Sequence, residues 1–223
     1  MKRVAIMKVE FDAAISPNEV PAFRGAVIEK VGIEQEVFHN HDNEGTGNGY
    51  HYRYPLIQYK ALGGRPVVLF IDTAVSEAYH LFRQPSWELN FTRRQTLAKL
   101  VSSETREYEV GVIGQHQAYT LKRWQALNQD NYRRFQQLHG IAEQAKYLEG
   151  ILAGHILGFA SGLGIRFEKR FGLAITAIEQ QRFRSFEGVK NLAFDIRFDA
   201  NVELPPYIGL GKGVSQGFGV LYR

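Results

Sequence analysis

Val4, Ile6 and Val9 stand among charged residues between Arg3 and Phe11, a pattern that predicts a first strand. Ser16-Pro17-Asn18-Glu19 then reads as a helix start. Ser16 can cap, Pro17 suits the first turn, and Glu19 completes a capping box. The helix is expected to run to about Val31, with Val20, Phe23, Val27 and Val31 on one face and Gly32 closing it. A polar loop follows from Phe38 to Gly49. Two strands are predicted next, Tyr52 to Ala61 and Pro66 to Ile71, joined at Gly63-Gly64. A second helix starts near Asp72-Thr73 and reaches Phe82, and a short strand at Trp87 to Phe91 ends this half. The order β-α-β-β-α-β is that of the ferredoxin-like unit.

The second half opens with strand patterns at Glu107 to Ile113 and Gln117 to Leu121, followed by a polar stretch from Trp124 to Leu138. Apolar residues at Ile141, Ala145, Leu148, Leu152, Ile156, Phe159 and Leu163 predict a long helix. Strands are expected at Arg166 to Ile178, Leu192 to Phe198 and Phe218 to Tyr222, with a glycine loop before the last. The fold class is therefore α+β, two tandem ferredoxin-like domains divided as 1–94 and 95–223. No sequence repeat relates them.

Composition narrows the chemistry. A chain of 223 residues with 44% hydrophobic and 22% charged residues can bury a core without staples, which excludes a disordered protein. It contains no cysteine, which removes disulfides, thiolate zinc sites, iron–sulfur clusters and cysteine nucleophiles. The apolar run at the N-terminus is too short for a signal peptide, so a cytoplasmic protein is expected. Lysine and arginine number 27 against 23 acids, a net charge of +4 that permits a nucleic-acid partner without demanding one.

Gly209-Leu210-Gly211-Lys212-Gly213-Val214-Ser215-Gln216-Gly217-Phe218-Gly219 is the densest local signal. Such a backbone can pass close to a ligand and present N–H groups, and phosphate is the natural guest. It is not a Walker A loop, because it has no Gly-Lys-Ser/Thr ending, and it is a poor dinucleotide fingerprint, because it precedes a strand at the C-terminal end. An irregular connection between strands is the competing reading. The pattern Gly-apolar-Gly, a short segment with a basic residue, then Gly-Phe-Gly resembles the signature of the RAMP superfamily of CRISPR-associated proteins, which are built from tandem ferredoxin-like folds. Tyr52 to Lys60 after a histidine loop, Asn191-Leu192-Ala193-Phe194-Asp195 and Leu204-Pro205-Pro206-Tyr207-Ile208-Gly209 are similar to the endoribonucleases of that group that cut precursor CRISPR RNA.

The resemblance implies metal-independent cleavage within each repeat. The 2′-hydroxyl attacks the adjacent phosphate and leaves a 5′-hydroxyl and a cyclic or 3′-phosphate. It also implies a histidine near the end of the first helix or in the loop after it. His39 and His41 occupy that region, with His51 across the loop. Histidine suits proton transfer near neutrality. The same residues are also compatible with a solvated loop or, with Asp42, a metal site; an HNH nuclease lacks its downstream helix ligand here. No cofactor or metal is expected. Lys60, Tyr54 and Arg53, on the strand after the loop, are assigned to phosphate charge by position. Gly209, Gly211, Lys212, Gly213, Ser215, Gly217 and Gly219 are assigned to the RNA backbone. CRISPR repeat RNA, precursor and processed, is the expected partner; effector-complex subunits and a second copy of the chain are further partners the resemblance allows. A non-catalytic RAMP subunit that binds guide RNA is the alternative.

Basic and aromatic residues interleave at Arg166-Phe167-Glu168-Lys169-Arg170-Phe171 and at Arg182-Phe183-Arg184-Ser185-Phe186. On strands, Arg166 with Arg170, and Arg182 with Arg184, fall on one face and can track an RNA backbone while phenylalanines stack on bases. Buried phenylalanine with solvated arginine is the bland alternative. Lys122-Arg123 and Arg133-Arg134 read as weaker, solvated faces. Gly150, Gly154, Gly158 and Gly162 fall four apart on the long helix. Glu149 and His155 exclude a membrane span, so these glycines predict a helix lying close on its own sheet, with His155 a hydrogen-bonded core residue.

Overall fold

The computed structural model describes residues 1–38, 54–91, 97–186 and 188–223. The chain forms two compact units: Arg3–Tyr108 with Ser215–Gly217, and Met1–Lys2 with Glu109–Val214 and Phe218–Arg223. They change over inside one strand rather than after residue 94.

The first unit contains β1 (Lys2–Phe11), α1 (Val20–Val31), β2 (Ile57–Leu62), β3 (Arg65–Ile71), α2 (Ala78–Phe82), a ribbon of β4 (Leu89–Asn90) with β5 (Leu97–Ala98), and the start of β6 (Leu100–Trp124). Its sheet runs β2-β3-β1-β6. Helix α1 begins later than predicted. Ser16–Glu19 is a turn closed by the Ser16 N–H donating to Glu19 Oε2 (2.8 Å), and Pro21 occupies the first helical turn. Pro21 has no N–H to donate, so it belongs where no donor is required. Val20, Phe23, Val27 and Val31 are buried as the pattern predicts. Phe23 is the hub, edge-on to Phe11 (5.5 Å), Tyr59 (6.0 Å) and Phe91 (5.2 Å). Gly63 and Gly64 turn β2 into β3 with φ of +56° and +77°. Trp87 to Phe91 is not a strand of this sheet. Asp12 donates from its N–H to the Lys99 carbonyl (2.9 Å) and accepts the Lys99 N–H on Oδ1 (2.7 Å), seating the approach to β6 beside the end of β1.

The second unit holds the rest of β6, α3 (Gln129–Gln136), α4 (Ile141–Gly162), β7 (Leu173–Phe186), β8 (Val189–Glu203) and β9 (Val220–Tyr222), in the order β7-β8-β6-β9. The two strands predicted over 107–121 are one strand. Its register against β8 shifts between Val112–Val202 and Gln117–Ala200, so Gly114 to His116 bulge without breaking it. The polar stretch after Trp124 contains α3, capped by Asn128 Oδ1 accepting the Asn131 N–H (2.7 Å). Helix α4 matches expectation and buries Leu148, Leu152, Ile156 and Phe159. Its glycines do not. A Cβ at Gly150, Gly154 or Gly158 would meet open space, so they lie on the outer face and do not approach the sheet. Residues 166–172 precede β7, so Arg166 and Arg170 are on irregular chain and period-two sidedness does not apply to them.

Candidate nucleic-acid interface

The glycine loop is woven into the second unit by its own backbone. Leu210 N–H donates to the Gly219 carbonyl (2.8 Å), Lys212 N–H to the Gln125 carbonyl (3.2 Å), Phe218 N–H to the Gly213 carbonyl (3.2 Å) and Gly219 N–H to the Arg123 carbonyl (3.1 Å). These donors are engaged internally and face no open cradle. Gly211 (φ +95°) lies so close to Trp124 that a Cβ would stand 2.8 Å from the indole, and a Cβ at Gly219 (φ +59°) would overlap the Leu210 carbonyl oxygen. Glycine is required there for contact and conformation. Gly209, Gly217 and Gly219 are buried, Gly211, Gly213 and Ser215 are half-buried, and Lys212 is exposed. In the first unit the Ser215 carbonyl accepts the Tyr59 N–H (3.1 Å) and Gly217 packs over Val20.

Beneath the loop, Trp124 Nε1 donates to His155 Nδ1 (3.1 Å). Burial, then the charge of Lys212, lowers the imidazole to about 4, so His155 is the neutral acceptor this bond needs. Its sequence reading as a hydrogen-bonded core histidine holds.

Register places Arg182 opposite Ala193, Arg184 opposite Asn191 and Gln180 opposite Asp195, all on one face of the β7–β8 hairpin. Phe183 and Phe194 belong to the other face, where Phe194 packs on Phe135 (5.5 Å). Arg182 is exposed and Arg184 half-buried. Phe183 is 58% exposed and edge-on to Tyr132 at 6.5 Å, so it is not the buried phenylalanine of the bland reading. The arginine face also carries Lys122, whose Nζ meets Glu179 Oε2 (2.6 Å) and Asp195 Oδ2 (3.8 Å), and Arg197, whose Nε meets Glu179 Oε1 (2.9 Å).

Arg123, read from sequence as a weak solvated position, is half-buried with φ +55°. Its N–H donates to Asp195 Oδ1 (2.7 Å), and its guanidinium stacks 4.8 Å from the Phe218 ring centre. The signal for it was Lys122-Arg123-Trp124, a basic pair against an aromatic at a strand end.

Phe38 and Tyr54 are the described residues on either side of the histidine segment. Phe38 is buried, its carbonyl accepts the Tyr59 hydroxyl (3.0 Å), and its ring meets Phe70 at 5.8 Å. His39, His41, His51 and Arg53 lie outside the described residues. Tyr54 is half-buried. Lys60 is wholly buried in β2 opposite Val67, and burial lowers its amine to about 7. Among the described residues no group of three or more His, Asp or Glu is placed to hold a metal ion, and no helix is long and apolar enough to cross a membrane.

A strand-rich α/β chain that turns an arginine-lined sheet face outward, away from its helices, is of the class that holds polyanions. Comparison with known proteins is specific. The Cas6b N-terminal domain family matches residues 2–109 and the Cas6b C-terminal domain family matches residues 111–223. The chain belongs to the Cas6b family. It is similar to a crystal structure of Cas6b with a TM-score of 0.87 and 21% identity, covering 100% of both chains. A second structure, a CRISPR RNA processing endoribonuclease Cas6b, aligns at TM-score 0.74 and 20% identity over 99% of this chain and 98% of that one. An uncharacterized protein of Methanocaldococcus jannaschii is 32% identical over 100 residues, 45% of this chain and 67% of its own length.

Proposed function

We propose that this protein binds the repeat RNA of a CRISPR locus and cleaves the precursor once within each repeat. The observation that carries this reading is the match of both halves to Cas6b domains, over residues 2–109 and 111–223. Both units are read as ferredoxin-like, and the sheet order β2-β3-β1-β6 of the first supports this.

In this mechanism the ribose 2′-hydroxyl attacks the adjacent phosphorus in line. The 5′-oxygen leaves with a proton, giving a 5′-hydroxyl and a cyclic phosphate, without a metal ion. His41 or His39 moves the proton as general base or acid. Tyr54 and Arg53 stabilise the developing phosphorane charge. Lys60, assigned to phosphate charge by its position in sequence, is wholly buried in β2 and takes no part in these steps; burial holds its amine near 7.

The test incubates the protein with labelled repeat RNA in EDTA, followed by analysis of product ends. A single cut with a 5′-hydroxyl and a cyclic or 3′-phosphate is expected, abolished by 2′-deoxy substitution upstream of the scissile phosphate. Cleavage that survives the deoxy substitution overturns the mechanism. His39→Ala with His41→Ala should bind RNA normally without cutting. Tight binding by the wild type without any cut would instead mark a guide-RNA-binding subunit.

A further inference from the structure

On the arginine face of the second unit, Glu179 and Asp195 are already engaged. Glu179 holds Lys122 and Arg197, while Asp195 holds the Arg123 N–H and Lys122. Arg123 and Arg184 are left over. The Arg123 guanidinium makes no hydrogen bond or ion pair among the described residues, and its Nε is buried without an acceptor. The positive charge of Arg184 works against it, and together with burial, the larger cause, lowers Arg123 to about 10, with Asp195 opposing. Arg184 likewise has no carboxylate partner among the described residues.

Two half-buried cations without an ion pair among the described residues, the charge of one acting on the other, are a destabilising arrangement for the empty protein. An anion between them would remove the repulsion and satisfy the donors. Arg123 is also ordered in advance. Asp195 and Gly219 pin its main chain, and Phe218 holds the guanidinium plane, so its donor fork loses little freedom on binding. Arg182 repeats the cation two residues along β7, about 6.7 Å away, which suits a chain of phosphates better than one isolated carboxylate.

We propose that Arg123 and Arg184 form a two-arginine clasp for a backbone phosphate of the bound RNA. The site lies wholly in the second unit, and its assignment to RNA rests on the function proposed above. Arg123 binds the phosphate through its planar fork, and Arg184 closes on the opposite side.

The test compares the full-length wild type with Arg123→Gln, Arg123→Lys and Arg184→Gln. Thermal unfolding is followed with and without inorganic pyrophosphate, and repeat-RNA binding is measured across a range of KCl concentrations. R123Q should melt at or above the wild-type temperature, because it loses an uncompensated cation. Pyrophosphate should raise the melting temperature of the wild type but not of R123Q or R184Q. R123Q should bind RNA about tenfold more weakly, with a salt slope shallower by about one. R123K should recover the slope but not the full affinity, since it restores charge without the fork. A lower melting temperature in R123Q with unchanged RNA affinity and slope would overturn the clasp, making the stack on Phe218 structural. Equal pyrophosphate effects on all variants would overturn it too. If the wild type cleaves repeat RNA and R123Q behaves identically, the clasp falls while the proposed function stands. If pyrophosphate acts through Arg123 but repeat RNA does not bind, the anion site survives and the RNA assignment fails.

Discussion

Gly219 and Lys212 share one loop and have opposite roles. Gly219 is locked against the Leu210 carbonyl at φ +59°, whereas Lys212 is exposed. Gly219→Ala should therefore destabilise by at least about 2 kcal/mol, combining a left-handed backbone with a steric overlap. Lys212→Ala should leave stability within about 0.5 kcal/mol and weaken RNA binding. Urea unfolding and RNA titration of the two variants separate the roles. His155 gives a pH test at the same scale. Its folded value, about 4, lies below the unfolded value of about 6.5, so the unfolded chain binds the extra proton first. Its contribution is complete above pH 6.5 and is lost as pH falls from 6.5 to 4, by roughly 3 kcal/mol in all. His155→Gln keeps an acceptor for Trp124 but does not titrate, so its unfolding free energy should fall less between pH 7.5 and pH 4.5 than that of the wild type. Equal slopes would mean that His155 is not the group responsible.

Among the elements, α4 shows how far a pattern can be read. Its buried stripe of Leu148, Leu152, Ile156 and Phe159 was legible because a 3.6-residue period maps onto one face. Spacing alone does not say which face the glycines take, and they face outward. Gly150→Ala, Gly154→Ala and Gly158→Ala sit in open helical positions and should each stabilise by about 0.5–1 kcal/mol, measured by thermal unfolding. In the first unit, Phe23→Ala should cost about 3–5 kcal/mol, since three aromatic neighbours lose their common partner. The strands were harder. Gly114 to His116 interrupts the alternation in β6, but pairing with β8 carries the strand through, so a local break became a bulge. Trp87 to Phe91 carried strand residues and pairs only in a two-stranded ribbon with β5, because Leu100 onward takes the place beside β1 in the main sheet.

For the whole molecule, a net charge of +4 is a poor guide to where a polyanion binds. The hairpin face concentrates arginines, while Arg166 and Arg170 lie on irregular chain before β7. Replacing Arg182 and Arg184 by Gln removes the same charge as replacing Arg166 and Arg170 by Gln. The first pair should weaken repeat-RNA binding by about tenfold more than the second at low salt. Equal losses in binding titrations would mean that only net charge matters.

The residues alone determined the kind of chain this is. Composition settled that it folds, the absence of cysteine removed whole chemistries, and the glycine loop with the motifs around it pointed to the family that both halves match. Those properties are local or compositional and survive without a fold. Tertiary structure decided which neighbours each residue meets. Only packing showed that the loop glycines are demanded by Trp124 and Leu210, and that Lys60 is buried to a pKa of about 7. Only packing showed that Glu179 and Asp195 are already paired, leaving Arg123 and Arg184 without an ion pair among the described residues. Charge balance and burial depend on distances between residues far apart in sequence, and those distances exist only once the sheets have formed.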